Sequence, residues 1–181
     1  MVSLLPIPAA SEFCVNKLWG VFMSIRQSVF GIVLLLSILS LPQTASTGDS
    51  GFITKPSSYS VQETIERFEN AVKANGQIVF GRVDHAEAAA KYGIEFRPHT
   101  TVLFGRPQNG TPLMRQSGTY TIDAPQKVAV WQDDQGKVWL TYNSAEYFAT
   151  HLLPRHGLSF SADQVMNIQK FMDQVTDQAT K

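Results

Sequence analysis

Asp84 and His85 stand side by side at the end of a strand-forming run, Gln77 to Val83. An aspartate in that place can cap a following helix, and His85 then occupies its first position, where the positive end of the helix dipole keeps an imidazole neutral. A neutral imidazole can ligate haem iron or another metal, which makes His85 the candidate metal ligand. His99 or Met114 could supply a second axial ligand. Asp84 and His85 could also act as acid and base, although side chains at consecutive positions usually point apart. The structural alternative is a histidine that only hydrogen-bonds a neighbouring turn. The second candidate is the stretch from Val102 to Met114, an apolar run stopped by Gly105, Pro107, Gly110 and Pro112. That cluster of glycine and proline reads as a shaped turn, with Leu113 to Gln116 as a short helical piece behind it. Phe104, Gly105, Pro107 and Met114 would then wall a small-ligand pocket completed by Asp84 and His85.

Other motifs carry less. Gly48-Asp49-Ser50-Gly51 copies the serine tetrapeptide of trypsin-like proteases, but no histidine precedes it and it falls in a tether. Gly105 and Gly110-Thr111 have the spacing of a phosphate loop without its lysine, and Pro107 and Pro112 remove two backbone donors. Arg82, Arg97, Arg106 and Arg115 fall near the same turn, where a convergent pair could grip a carboxylate. His151 and His156, separated by Pro154, read as solvated loop residues. Trp131 and Trp139 read as core or interface aromatics. Covalent haem attachment is excluded, because there is no Cys-x-x-Cys-His.

The elements that must position these residues follow from periodicity and punctuation. A tether and the start of a first strand occupy residues 47–58. Ser60 and Glu63 open an amphipathic helix carrying Ile65, Phe68 and Val72, and Asn75-Gly76 stops it. Asp84 caps a short helix that Gly93 ends, and Thr100 to Phe104 is β-branched and aromatic, hence a strand. Lys127–Trp131 and Lys137–Tyr142 flank Asp133-Asp134-Gln135-Gly136, which is hairpin chemistry. Ser144 caps a helix ended by Pro154. Ser161 and Gln164 open a last amphipathic helix with Val165, Ile168, Met172 and Val175 on its apolar stripe. Sequential hairpins mixed with helices predict a single α+β domain, a mixed, mainly antiparallel sheet covered by helices.

An ordered series of motifs runs through this frame: Asp84-His85-Ala86, Phe104-Gly105-Arg106-Pro107, Gly110-Thr111-Pro112-Leu113-Met114, Ala124-Pro125 with Lys127, and Val138-Trp139 with Tyr142-Asn143. The series resembles the domain of unknown function family numbered 302, over residues 51–157. The resemblance implies a small α+β fold, often exported in bacteria and frequently a homodimer, with no agreed activity. Ala124 stands where the family usually has leucine. Residues 158–181 fall outside the resemblance and read as an added C-terminal amphipathic helix.

Charge and the N terminus bound where the protein works. Fifteen basic side chains balance fifteen acidic ones, which gives no electrostatic reason to bind nucleic acid or an anionic membrane. Residues 1–46 read as a leader: Arg26 precedes a charge-free apolar run from Ser28 to Leu41, with Thr44 and Ser46 behind Pro42. The run is roughly 20 Å of helix, short of the about 30 Å that a bilayer core requires, so a cleaved signal is expected and no membrane span after cleavage. Met23 is the expected start of translation. The only cysteine, Cys14, lies in the leader and leaves the mature domain free of disulfides. The reading is a periplasmic or secreted, non-catalytic binding module of unknown ligand, with haem or metal binding at His85 as the alternative and acid–base catalysis by Asp84 and His85 as the second. N-terminal sequencing is expected to find a mature chain starting near Thr47, and precursor peptides from before Met23 would contradict the start at that methionine.

Overall fold

The computed structural model describes residues 50–181, so the leader, Met23 and Cys14 lie outside the described residues. In chain order the elements are β1 (Phe52–Ser57), α1 (Val61–Ala74), β2 (Ile78–Asp84), α2 (His85–Ala90), β3 (His99–Gly105), α3 (Pro107–Gln116), β4 (Gln126–Gln132), β5 (Val138–Asn143), α4 (Ala145–Tyr147) and α5 (Ala162–Thr180). The strands form one sheet in the order β1-β5-β4-β3-β2, and each neighbouring pair is antiparallel. The mainly antiparallel expectation therefore holds, with no parallel pair among the described residues.

Alternation along the strands sorts the sheet into a covered and an open face. Val102, Phe104, Val128, Val130 and Leu140 are buried and pack beneath Phe68 and Val72 of α1 and Val175 and Ala179 of α5. The residues between them, including Thr101, Ala129, Trp131, Trp139 and Thr141, are only partly buried. Trp131 and Trp139 stack in a row that continues through His99 to Phe96, with ring centroids 4.4 to 6.2 Å apart.

Helix α5 is half of the helical layer. Its start is a full capping box: the Ser161 hydroxyl accepts from the Gln164 amide, and the Gln164 side chain accepts from the Ser161 amide at 2.8 Å. Its polar side is tied to the sheet, Lys55 Nζ reaching Asp177 at 2.6 Å and the Tyr142 hydroxyl donating to Asp173 at 3.1 Å. Residues 158–181 thus build the same core as the rest.

The largest departure from expectation is the glycine–proline stretch. Residues 107–116 form one helix, α3, where a shaped turn with only a short helical piece at 113–116 was expected. Pro107 sits at the first helical position, where its missing N–H has no partner to lose and its fixed φ suits the helix. Leu113 and Met114 then pack against a second hydrophobic cluster of Tyr120, Phe148, Leu153 and Leu158. That packing outweighs the interruption by Pro112. The helix expected after Ser144 is likewise irregular: α4 passes into a π-helical turn at Phe148–Leu152 and a 3-10 turn at Pro154–His156.

An ion pair under α1 gives the fold a pH dependence. Hydrogen bonding from Arg82 lowers the pKa of the Glu69 carboxyl, against the opposing push of burial, and Lys73 adds to the lowering. A carboxylate whose pKa is lowered in the folded state stabilises the fold above its unfolded pKa, and that contribution disappears as pH falls through the folded value. Thermal melts of Glu69→Gln are therefore expected to show a lower Tm than the parent at neutral pH and a smaller loss of Tm on acidification.

Candidate functional site: a cavity between two hydrophobic clusters

The two clusters meet without closing on each other. Between them lies a cavity of about 720 Å³. One wall is α3, from Pro107 to Met114, followed by Tyr120 and the cis-linked Ala124-Pro125. The opposite wall is Phe160 and the first turns of α5, with Ile168, Phe171 and Met172. Phe104 and Gly105 at the end of β3 form part of the remainder, together with Phe148 of the π-helical turn.

Two polar clamps hold the α3 wall. Arg106, just before the helix, donates from Nη2 to the Asn75 carbonyl and from Nε to the Gly76 carbonyl at 3.2 Å. Gly76 has φ of +72°, and a Cβ there would lie 2.8 Å from Arg106 Nη2, so both the turn after α1 and the close approach of the guanidinium favour glycine. The second clamp is His156. Its side chain is only 3% exposed, and its Nε2 lies 2.7 Å from Asp123 Oδ2. The carboxylate can only accept, so Nε2 carries a proton, and in the neutral ring Nδ1 accepts from the Thr119 hydroxyl at 2.8 Å. Arg155 adds a second contact to Asp123 at 3.2 Å. His156 thereby ties the segment around Tyr120 to the segment that follows the π-helical turn.

The sequence-predicted residues divide into two groups. Phe104, Gly105, Pro107 and Met114 line the cavity together. Asp84 and His85 do not join them. Asp84 pairs with Thr100 while Ile78, at the other end of β2, pairs with Gly105, so about 20 Å of strand separates the two at about 3.3 Å per residue. Asp84 caps α2 through the Glu87 amide at 2.9 Å, and His85 Nε2 shares a hydrogen bond of 3.1 Å with Thr101 on the open face. The pocket expected between His85 and the stretch after β3 is thus absent, because antiparallel pairing sends the two chain segments to opposite ends of the strands. His99 donates from Nδ1 to the Arg97 carbonyl and stacks in the aromatic row, away from Met114. Among the described residues no group of three or more His, Cys, Asp or Glu is placed to hold a metal ion.

Three of the four arginines are engaged apart from one another: Arg82 pairs with Glu69, Arg97 with Asp134 and Arg106 with backbone carbonyls. The expectation that His156 is solvated is also corrected: Pro154 breaks the helix, and the resulting 3-10 turn folds the ring inward against Tyr120. His151 is exposed and stacks on Tyr147. Sequence reasoning missed Tyr120, Phe148, Phe160 and Phe171 as cavity residues. Ile168 and Met172 are visible in the sequence as an apolar stripe, which is the signal available, but the space they face is not.

The same motifs and fold recur in known proteins. The family model described as "Domain of unknown function DUF302" matches residues 53–179. The chain belongs to this family. The DUF302 match runs through α5, beyond the limit at 157 set by the motifs. A crystal structure of an uncharacterised conserved DUF302 protein from Bacillus stearothermophilus has the same fold, with a TM-score of 0.59 and 20% identity over 72% of this chain and 98% of that one. Proteins named fluoride-specific ion channel FluC 1, from Brucella suis biovar 1 (strain 1330), and FluC 2, from Brucella melitensis biotype 1, are each 43% identical over 122 residues. The matched stretch is 67% of this chain but 46% and 44% of those proteins, so the DUF302 chain spans less than half the length of these relatives. Among the described residues no helix is long and apolar enough to cross a membrane.

If His156 fastens the cavity wall, His156→Ala leaves the Asp123 carboxylate without its buried donor and is expected to cost about 2 kcal/mol of stability. Exposed His151→Ala is expected to cost less than about 0.5 kcal/mol. Urea unfolding of the two variants checks the difference.

Proposed function

We propose that this DUF302 protein is an exported, non-catalytic binding module that holds a small molecule in the cavity between α3 and α5. The observation that carries this reading is the chemistry of the lining. Among the described residues, six aromatic rings and several aliphatic and methionine side chains face one space with one charged residue, Arg106, whose bonds go to the protein's own backbone. A cavity of this size and character suits a ligand of ordinary small-molecule dimensions. Among the described residues its lining holds no nucleophile beside a base, no carboxylate pair and no imidazole, the groups that acid–base or covalent catalysis uses. Burial raises the pKa of the Tyr120 phenol, which keeps it protonated and able to donate to a guest. Export is supported by the apolar, charge-free run behind Arg26. A homodimer is supported by the family resemblance and by the open sheet face with its exposed Phe52 and stacked tryptophans.

Gly110 provides the test. It lies within α3 facing the cavity, and a Cβ built there meets only Met114 Cε, at 3.9 Å. Leucine at this position fills ligand space while replacing a poor helix former with a good one. Gly110→Leu is therefore expected to keep or raise the Tm and to lower the binding of a solvatochromic apolar dye about tenfold or more. Unchanged dye binding in a folded Gly110→Leu protein would contradict the proposal.

A further inference from the structure

We infer that the natural guest of this cavity is an elongated apolar molecule ending in a carboxylate, of the fatty-acid class, with the carboxylate held by Arg106. The inference rests on the binding reading above and adds the chemical class of the ligand.

Arg106 sets the charge of the guest. Arg82, Arg97 and Arg155 each meet a carboxylate, of Glu69, Asp134 and Asp123. Arg106 meets none among the described residues, and no Asp or Glu among them lines the cavity. Its Nε and Nη2 donate to the carbonyls of Gly76 and Asn75, while Nη1 makes no hydrogen bond within the described residues. Carbonyl oxygens are dipoles, so these bonds orient the guanidinium without cancelling its charge, and the donors of Nη1 remain for a guest. Arg106 also directly precedes α3, whose first turn carries no acidic residue, so the positive end of that helix adds to the same potential. A carboxylate placed here gains a charge-assisted bond that a hydroxyl or an ester does not match, and an ammonium is repelled.

The place of the cavity in the fold sets the shape. Gln77 at the approach to β2, Gly105 at the end of β3, Gln126 at the start of β4 and Asn143 at the end of β5 all line it, and these four strands are neighbours in the sheet. Three strand spacings of about 4.8 Å make about 14 Å. Arg106 lies at the β2–β3 end of this run, bonded to the turn before β2. It is only half-buried and neighbouring Asn109 is exposed, so a head group at that end keeps part of its hydration. The rest of the run passes Tyr120, Phe148, Phe160 and Phe171, where an extended hydrocarbon tail leaves water.

The experiment titrates decanoate, decanol, methyl decanoate and decylammonium into the unmodified protein at neutral pH, below their aggregation limits, with isothermal titration calorimetry reading the affinities. Decanoate is expected to bind about tenfold or more tightly than decanol, and decylammonium most weakly of the four. In Arg106→Gln, decanoate is expected to fall to the level of decanol, whose own affinity changes little. A second readout needs no variant: NMR of decanoate with an isotope-labelled carboxyl, bound to the parent chain, is expected to show that carboxyl titrating below the free acid, since a neighbouring guanidinium favours the anion. A bound carboxyl titrating above the free acid, or decanol binding as tightly as decanoate, would overturn the carboxylate class while leaving cavity binding intact. A preference for decanoate that persists in folded Arg106→Gln would overturn the assignment of the head group to Arg106. Binding of no probe, or binding that Gly110→Leu does not alter, would overturn both the class and the cavity reading.

Discussion

Two hydrophobic clusters share one chain and leave space between them, and the site follows from that unfinished packing. The larger cluster is conventional: an antiparallel sheet whose alternate residues are buried beneath α1 and α5. The smaller gathers around Tyr120, Phe148, Leu153 and Leu158, on segments that are mostly short helical turns. Helices pack well on a sheet face, but short turns punctuated by Pro125 and Pro154 present no regular ridge to fill the gap. What holds the clusters at their distance is polar. Arg106 fixes the start of α3 to the turn after α1, and His156 fixes the segment around Tyr120 through Asp123 and Thr119.

Most of the frame is legible in the sequence because it is written in local signals. Ser60, Asp84, Ser144 and Ser161 all cap helices where their spacing says they should. The hairpin at Asp133 to Gly136 joins the strands it was expected to join, Asp133 turning its carboxylate onto the amides of Gln135 and Lys137. The stretch after β3 departs from expectation because glycine and proline punctuate a chain only in some places. Position matters more than presence: proline at the first helical position starts a helix, and Gly110 is tolerated inside one.

The site is half legible for a different reason. Phe104, Gly105, Pro107 and Met114 are close in sequence, so naming one names the others. Their link to His85 is an inference across a strand pair, and it depends on which ends of β2 and β3 meet. In an antiparallel pair the residue after β2 lies beside the start of β3, not its end. His85 therefore reaches Thr101 and not the cavity. The opposite wall, Phe160 and Phe171, comes from the C-terminal segment that the motif series leaves outside the family domain, and no local pattern tells which residues of an apolar stripe face a void.

The functional account is a claim about where a ligand sits. Methyl-resolved NMR of the protein labelled at methionine, titrated with decanol, tests it most directly, since Met114 and Met172 flank the cavity from its two walls while Met166 is exposed on α5. The account predicts saturable shifts of the Met114 and Met172 methyl signals with little change at Met166. Shifts at Met166 alone, or none at any of the three, would contradict it.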